Sequence, residues 1–241
     1  MTERRDSLFD RPGKVGDFVF DAAVAQVFPD MISRSVPGYA AVINMIELLT
    51  ATYAQAGSRL YDLGCSLGAA SLAMARGLQG EDCRIVAVDN APAMLEKARE
   101  YCDQAVAGGI EFLLADIRDV AIQDASLVVL NFTLQFLPLE ERDSLLARIR
   151  AGLRPGGILI LSEKIAGETP EEDAVLVEMH HAFKRQQGYS DLEISQKRSA
   201  LERVLLPETL ATHLQRLRGV GFTQAVPWFQ CFNFVSILAR A

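Results

Sequence analysis

LYDLGCSLG, at Leu60–Gly68, joins an apolar run to a turn that contains an acid and two glycines. The apolar residues predict a buried strand, and Asp62, Gly64, Ser66 and Gly68 alternate in the pattern D-x-G-x-S-x-G. Glycine-rich turns of this kind follow the first strand of open α/β sheets, which bind their ligands beyond the carboxyl ends of the strands. The stretch therefore predicts an α/β protein with a nucleoside-containing cofactor beside this turn.

The acid in the turn favours one cofactor class over another. A dinucleotide pyrophosphate needs backbone N–H donors at a helix N-terminus, for which the usual loop is G-x-G-x-x-G. S-adenosylmethionine has no phosphate, and it carries a sulfonium cation and an amino-acid tail. We therefore expect S-adenosylmethionine, with Asp62 either stabilising the loop or facing the amino group of the cofactor. An NAD-dependent oxidoreductase is the weakest alternative.

A second acid stands at the end of the next apolar run. RIVAVDN, at Arg84–Asn90, contains Asp89 about 20 residues after Gly68, which is the usual offset for an acid that binds ribose hydroxyls. A carboxylate matches a cis-diol well. Asp89 is therefore the predicted ribose ligand, and Asn90 is predicted to lie beside the adenine.

Two further apolar runs also end in polar residues. FLLAD ends in Asp116, which either accepts a hydrogen bond from the adenine amine, with the Ile117 backbone nearby, or caps a following helix. LVVLN ends in Asn131, whose buried amide must find partners and either holds the cofactor tail or fastens a loop. Together these residues predict a polar edge at the carboxyl ends of four strands.

Strands and helices alternate along most of the chain. We predict strands at 59–63, 84–88, 110–115, 127–131, 158–162, 223–229 and 232–239, and helices at 40–56, 68–78, 92–105, 140–152 and 207–219. This order predicts a mostly parallel seven-stranded sheet with right-handed crossovers. The closing β-hairpin is typical of the Rossmann-like methyltransferase fold. The whole chain, 1–241, is predicted to be a single S-adenosylmethionine-binding domain of that kind.

Two segments lie outside the alternation. Residues 1–56 are predicted to form a helical N-terminal cap and the first helix, with a break at Pro29. Tyr39 in this segment either stacks on or hydrogen-bonds the cofactor, or simply packs. Residues 167–205 are predicted to form a helical insertion over the active edge, before the last helix and strands.

The insertion carries the basic candidates. We expect at most one of His180 and His181 to face a given pocket, because neighbours on a helix point about 100° apart. One of them is a candidate general base, although partly exposed helix positions are the simpler interpretation, and His213 is assigned a structural role. Arg198 is either a solvated basic residue or a fork for an anionic substrate carboxylate.

Composition limits the remaining function classes. Half of the 241 residues are hydrophobic, which is enough for one well-packed α/β domain. No apolar run approaches the roughly 20 residues of a membrane span, and the N-terminus lacks a signal-peptide pattern. The four cysteines have no metal or disulfide spacing, so no metal and a cytoplasmic location are expected. The net charge of −7 argues against direct nucleic-acid binding.

Six blocks resemble the carboxy-S-adenosyl-L-methionine synthases of bacteria. They are VFPDMISRSVPGY (27–39), YDLGCSLGAASL (61–72), VDNAPAM (88–94), VVLNFTLQFL (128–137), LEISQKRSALE (192–202) and WFQCFNF (228–234). The resemblance covers nearly the whole chain. It implies that S-adenosylmethionine and prephenate are converted to carboxy-S-adenosyl-L-methionine, phenylpyruvate and water.

The resemblance also assigns the site and the partners. It places cofactor contacts on Tyr39, Gly64, Cys65, Ser66, Asp89, Asn90, Asp116, Ile117 and Asn131, and it makes Arg198 the catalytic residue that holds the new carboxylate. It implies a homodimer that can retain its product through purification. The product would serve a transferase that converts the tRNA wobble uridine to 5-oxyacetyluridine.

Two other functions stay open from the residues alone. A conventional S-adenosylmethionine-dependent methyltransferase acting on a small molecule would need no cation at Arg198. A non-catalytic cofactor-binding regulator would bind without turnover. The sequence shows no strong protein base and no N/D-P-P-Y motif after the fourth strand, where NFTLQFLP stands instead. It leaves open the group that takes the methyl proton, the orientation of prephenate, and whether Arg198 acts within its own subunit.

Overall fold

The structure is a computed structural model that describes residues 5–12, 16–78, 80, 82–105, 109–202 and 204–241. Residues 1–4 and 13–15 of the predicted cap, and residue 203 of the predicted insertion, lie outside the described part of the chain. Among the described residues, no helix has both the length and the apolar character that crossing a bilayer requires.

In the part of the chain that the structure describes, seven strands form one sheet, as the sequence predicts. They are β1 (Arg59–Leu63), β2 (Arg84–Asp89), β3 (Ile110–Leu114), β4 (Ala125–Asn131), β5 (Leu153–Lys164), β6 (Gln224–Cys231) and β7 (Phe234–Arg240). Their order is β3-β2-β1-β4-β5-β7-β6. The pairs from β3 to β5 are parallel, whereas β7 is antiparallel to both β5 and β6. The predicted Rossmann-like methyltransferase sheet and its C-terminal hairpin are confirmed.

Strand β5 begins earlier than predicted. The sequence predicts that this strand starts at Ile158, but Leu153 already pairs with Ala125 of β4. A register irregularity follows between Ala125 and Leu127, and Gly156 takes a positive φ of 77°. Residues 153–157 are therefore the first part of a bulged strand, which glycine permits.

Eight helices accompany the strands in the described residues. They are α1 (Ala22–Ser35), α2 (Tyr39–Tyr53), α3 (Ala69–Gly77), α4 (Pro92–Ala105), α5 (Leu139–Gly152), α6 (Pro170–Gln186), α7 (Asp191–Leu201) and α8 (Leu210–Gly219). A short 3-10 helix, Leu134–Phe136, follows β4. The helices α6 and α7 occupy the region between β5 and α8.

The predicted helix break at Pro29 is wrong, because α1 continues through that residue. Proline removes one backbone donor from the helix interior, which disfavours a helix locally. Val24, Val27 and Met31 nevertheless pack into one buried apolar cluster on both sides of the proline. Tertiary packing therefore overrides the local preference.

The sheet is buried on both faces. Leu60, Leu127 and Val129 contact one apolar cluster together with residues of α2 and α3. Leu63 and Val128, whose side chains point the other way, contact a second cluster with residues of α5 and α8. This two-sided burial explains why the central strands are almost continuously apolar. It also leaves the carboxyl ends of the strands as the place where polar groups collect.

Candidate active site

A cavity of about 530 Å³ opens at the carboxyl ends of the parallel strands. Its size is typical of small-molecule sites. All ten residues that the sequence assigns to the site line it, namely Tyr39, Gly64, Cys65, Ser66, Asp89, Asn90, Asp116, Ile117, Asn131 and Arg198. Asp62 lines it as well. The structure therefore brings the predicted residues together, and their individual roles stay predictions.

The loop after β1 needs its first glycine for two reasons. Gly64 has a φ of 80°, a conformation that residues with a Cβ rarely adopt. A Cβ at Gly64 would clash with Cγ2 of Thr133. The loop can therefore pass close to the end of β4 only with glycine at this position, and Ser66 also takes a positive φ of 51°.

Asp62 has one occupied and one free carboxylate oxygen. Its Oδ2 accepts a 2.6 Å hydrogen bond from Oγ of Ser71 in the first turn of α3. Its Oδ1 is buried and has no partner among the described residues. Burial raises the pKa of Asp62 to about 6, against the opposing effect of the Ser71 hydrogen bonds. Asp62 therefore fastens α3 and keeps one acceptor for a ligand.

Asp89 organises the second loop. Its Oδ2 accepts from the backbone N–H of Ser66 at 2.8 Å, and its Oδ1 accepts from the backbone N–H of Ala91 at 2.9 Å. Burial raises the pKa of Asp89, and these backbone hydrogen bonds oppose the rise. The carboxylate is thus held in one orientation at the cavity wall.

Asp116 is held by Arg118 rather than by a helix. Its Oδ1 accepts from the Arg118 backbone N–H at 2.9 Å, and its two oxygens take the guanidinium at 2.8 and 2.6 Å. Hydrogen bonding to Arg118 lowers the pKa of Asp116. The residues after Asp116 form a turn, so the alternative that Asp116 caps a helix is wrong.

Two amides leave buried acceptors at the cavity. Oδ1 of Asn131 and Oδ1 of Asn233 have no hydrogen-bond partner within the described part of the chain. Both residues line the cavity, together with the free oxygen of Asp62. Buried polar atoms are normally paired, so three orphaned acceptors fit a ligand that brings donors such as an ammonium group. S-adenosylmethionine has that group in its amino-acid tail.

Tyr39 and Cys65 contribute neutral groups. Burial and the neighbouring Asp62 raise the pKa of the Tyr39 phenol. Burial also raises the pKa of the Cys65 thiol, with Asp62 and Asp89 adding to the rise. Since the thiolate is the nucleophilic form, Cys65 is suited to packing and not to covalent chemistry. The Tyr39 ring lies 6.4 Å from the ring of Phe132.

Helix α6 presents one face to the cavity, and the expectation that at most one of its histidines faces a given pocket is wrong. His181 is partly exposed, as expected. Both His180 and His181 line the cavity, with ring centroids 6.4 Å apart. Two side chains about 100° apart can straddle the face that a helix turns to a wide cavity. His180 is also buried, not partly exposed, and its Nε2 lies 2.8 Å from the carbonyl oxygen of Ser35. Burial lowers the pKa of His180 to about 3, so its ring is neutral near pH 7.

Among the described residues, three lysines that the sequence analysis did not assign to the site also line the cavity. They are Lys164 at the end of β5, Lys184 on α6 and Lys197 on α7. Lys197 and Arg198 are neighbours, so the block that carries Arg198 offered one signal. For Lys164 and Lys184 the sequence offered no such signal, since isolated lysines are common on protein surfaces. The described residues contain no group of three potential metal-ligating His, Cys, Asp or Glu side chains.

The fold is shared with known methyltransferases. A family model described as "Methyltransferase domain" matches residues 60–157. Human N-acetylserotonin methyltransferase in complex with SAM superposes with a TM-score of 0.60 at 19% identity, over 91% of this chain and 55% of that one. Magnesium protoporphyrin IX methyltransferase from Synechocystis PCC 6803 with bound SAH gives a TM-score of 0.61 at 18% identity, over 87% and 86%. The protein thus falls in the class of proteins with the S-adenosylmethionine-dependent methyltransferase fold.

Sequence relatives define the family within that class. The carboxy-S-adenosyl-L-methionine synthase of Geobacter sp. (strain M21) is 57% identical over 99% of both chains. The protein of the same name from Salmonella paratyphi B is 54% identical over 98% of this chain and 96% of its own length. The chain belongs to the carboxy-S-adenosyl-L-methionine synthase family.

Proposed function

We propose that the protein converts S-adenosyl-L-methionine and prephenate to carboxy-S-adenosyl-L-methionine, phenylpyruvate and water. The observation that carries this proposal is the place of Arg198. Its guanidinium makes no hydrogen bond or ion pair with any described residue, and it lines the same cavity as the residues of the cofactor loop. A free cation beside a sulfonium-containing substrate is useful when a carboxylate forms there.

The loop residues would hold the first substrate. Asp89, already oriented by two backbone N–H groups, would take the ribose hydroxyls. The free oxygens of Asp62 and Asn131 would accept from the amino group of the tail. Asn90, Asp116 and the Ile117 backbone would surround the adenine, while Tyr39, Gly64, Cys65 and Ser66 complete the binding wall.

S-adenosylmethionine supplies the S-methyl carbon that receives the carboxylate. Prephenate releases its ring carboxylate as CO2 and its hydroxyl when the ring becomes aromatic, so the departing hydroxide can take the methyl proton and leave as water. This chemistry asks little of a protein base. The low pKa of His180 agrees with that, because a ring with a pKa of about 3 is a weak base. The protein would hold the two reactants together, exclude water and bind the new carboxylate through Arg198.

The proposal extends to the use of the product. Carboxy-S-adenosyl-L-methionine would leave the enzyme as the donor for a tRNA transferase that forms 5-oxyacetyluridine at the wobble position. The net charge of −7 is consistent with a protein that supplies this donor without binding the RNA. We further propose a cytoplasmic homodimer that can retain its product through purification.

A labelled-substrate experiment tests the reaction. The protein is incubated with S-adenosylmethionine carrying an isotopically labelled S-methyl group, with and without prephenate, and the nucleosides are identified by mass spectrometry. The label separates new product from any product bound beforehand. A labelled species heavier by one CO2, formed only with prephenate, is expected. Unchanged S-adenosylmethionine in both tubes, with cofactor binding demonstrated, would overturn the proposal.

The second candidate is a conventional methyltransferase that acts on a small molecule. The methyltransferase fold favours it, but a conventional methyl transfer gives no role to Arg198, which lines the cavity and has no side-chain partner among the described residues. Transfer of the labelled methyl group to an added acceptor, without carboxylated product, would decide for this candidate.

A further inference from the structure

We propose that Lys164 and Lys184 form a second anion subsite in the cavity, which binds a carboxylate of the second substrate. The inference rests on the proposed function, since prephenate carries two carboxylates. One is lost as CO2 and is recaptured near Arg198, so the carboxylate of the pyruvyl side chain needs another cation. Lys164 and Lys184 are the positioned groups that can provide it.

The two lysines are free for a ligand. Lys184 is 7% exposed and lines the cavity, and Lys164 at the end of β5 lines it too. Neither ammonium group makes a hydrogen bond or an ion pair with a described residue. Lys197 differs, because its Nζ donates to Oγ of Ser35 at 2.9 Å and lies 3.5 Å from Oδ2 of Asp6. Lys197 is therefore a structural group, and the subsite consists of the other two.

Electrostatics makes an empty subsite unfavourable. Burial, together with the positive charges of Lys197 and Lys164 and against the opposing charge of Asp6, lowers the pKa of Lys184 to about 7. Burial also lowers the pKa of Lys164, whose other charged neighbours are Asp173 and Arg198. A buried cation without a counter-ion is costly, so an anionic ligand would restore the ordinary charge balance.

The arrangement separates the two substrates by charge. The orphaned acceptors of Asp62, Asn131 and Asn233 suit a ligand with donors. The lysines suit a ligand with acceptors only. The tail of S-adenosylmethionine also ends in a carboxylate, and it is the competing occupant of the lysine pair. The affinities of the two substrates distinguish these occupants.

The test compares Lys184→Met and Lys164→Met with a matched control, Lys97→Met. Lys97 lies on α4, outside the cavity lining, in an ion pair with Glu100. We expect each subsite variant to raise the KM for prephenate about tenfold or more, because a charge-assisted hydrogen bond is lost. The dissociation constant of S-adenosylmethionine, measured by calorimetry, should stay within about twofold, and Lys97→Met should change neither. An unchanged KM for prephenate, or an equal loss of S-adenosylmethionine affinity, would overturn the proposal.

The pH dependence gives a second measurement. The groups that face Lys184 are Lys197, Lys164 and Asp6, with His180 and His181 on its own helix. An anion binds the protonated lysine, so the KM for prephenate in the wild type should rise above pH 7, by at most about tenfold per pH unit. Lys184→Met should show a flatter profile. The same slope in both proteins would contradict the assignment.

Binding of prephenate to protein loaded with S-adenosylhomocysteine separates this proposal from the proposed function. If both lysine variants bind prephenate and form carboxylated product as the wild type does, the proposed function holds and the lysine subsite is wrong. If prephenate binding requires the lysines but the wild type forms no carboxylated product, the lysine subsite holds and the proposed function is wrong.

Discussion

The backbone N–H of Ser66 donates a 2.8 Å hydrogen bond to Oδ2 of Asp89, which joins the loop after β1 to the end of β2. The other oxygen of the same carboxylate accepts from the backbone N–H of Ala91 at 2.9 Å. The two loops therefore form one unit. A ligand that binds Asp89 meets an acid whose orientation is already set.

Asp89→Asn should weaken the binding of S-adenosylmethionine by roughly 10- to 100-fold, the equivalent of one charge-assisted hydrogen bond. The amide has one acceptor oxygen, so it cannot both hold the loop and bind a diol as the carboxylate does. Calorimetry gives the affinity. An affinity equal to that of the wild type would remove Asp89 from the ribose site. Asp103→Asn, at an exposed position of α4, is the matched control.

Gly64→Ala should abolish most of the affinity for S-adenosylmethionine. The new Cβ would clash with Cγ2 of Thr133, and the φ of 80° is strained for alanine. Since the loop must move to relieve the contact, we expect a loss of at least about tenfold, or 1.4 kcal/mol. Calorimetry and thermal unfolding measure binding and stability separately.

Gly57→Ala is the control for backbone strain alone. Gly57 has a φ of 71°, and a Cβ there would meet nothing within 4 Å. The variant should lose about 1–2 kcal/mol of stability and keep its affinity for S-adenosylmethionine. If both glycine variants bind S-adenosylmethionine equally well, the close approach of Gly64 to Thr133 does not determine the affinity for this ligand.

Arg198→Ala should eliminate the carboxylated product and leave the binding of S-adenosylmethionine largely intact. The guanidinium has no partner among the described residues, so its removal frees no buried charge. Arg198→Lys should recover only part of the activity, because an ammonium group cannot bind a carboxylate in a bidentate manner. Product is measured by mass spectrometry and binding by calorimetry.

Arg185→Ala controls for the loss of one positive charge. Arg185 is an exposed residue of α6 that pairs with Asp191 and is absent from the cavity lining. The Arg185→Ala variant should retain full activity. Loss of cofactor binding in Arg198→Ala would instead make Arg198 a structural residue.

The sequence predicted the part of the site that follows from strand ends. Asp89, Asp116 and Asn131 each close an apolar run, and the carboxyl ends of parallel strands meet at one edge. Their convergence on one cavity required only the β-α alternation, which the structure confirms. The resemblance to the family, and not the local pattern, singled out Arg198.

The rest depends on packing that no local pattern encodes. Lys164 and Lys184 are 20 residues apart in the chain and line the same cavity because the end of β5 and one face of α6 both border it. Both histidines of α6 reach the cavity because it is wide. The helix through Pro29 exists because its flanking residues are buried. In each case the structure depends on packing between segments that are distant in the sequence, which local sequence patterns do not report.

Arg142→Met should destabilise the fold by about 3–5 kcal/mol, because buried carbonyl oxygens lose their donor and Glu208 loses one of its two arginine partners. Arg142 is fully buried, pairs with Glu208 at 2.6 Å, and donates to the carbonyl oxygens of Gln135, Leu137 and Leu206. Methionine fills similar space but takes the donor away from the carbonyl oxygens of Leu137 and Leu206, whereas the Gln135 carbonyl keeps the backbone N–H of Leu206 and Glu208 keeps Arg216. Chemical denaturation measures the free energy of unfolding.

Arg76→Met is the comparison for an exposed pair. Arg76 lies 2.7 Å from Glu47, and both side chains are more than 40% exposed. Exposed pairs contribute at most about 1 kcal/mol. Equal effects of the two substitutions would mean that the buried network around Arg142 does not stabilise the chain.

Glu163→Gln should flatten the pH dependence of stability. Glu163 is fully buried on β5, its Oε1 accepts from the backbone N–H of Leu134 at 3.1 Å, and its Oε2 has no partner among the described residues. Burial raises its pKa from 4.5 to about 8, although the charge of Arg142 opposes the rise and that of Glu208 adds to it. The folded protein therefore holds a proton that the unfolded chain releases above pH 4.5.

The sign follows from that proton. Between pH 4.5 and about 8 the folded state binds more protons than the unfolded state, so the free energy of unfolding falls as the pH rises, by at most about 1.4 kcal/mol per unit from this group. Glutamine keeps the shape and the acceptor for Leu134 but cannot titrate, so Glu163→Gln should gain stability relative to the wild type as the pH increases. Denaturant titrations at several pH values between 6 and 9 measure the difference, with Glu178→Gln at an exposed position of α6 as the control. Parallel curves for the wild type and Glu163→Gln would show that Glu163 is already ionised in the folded protein, with Arg142 outweighing the effect of burial.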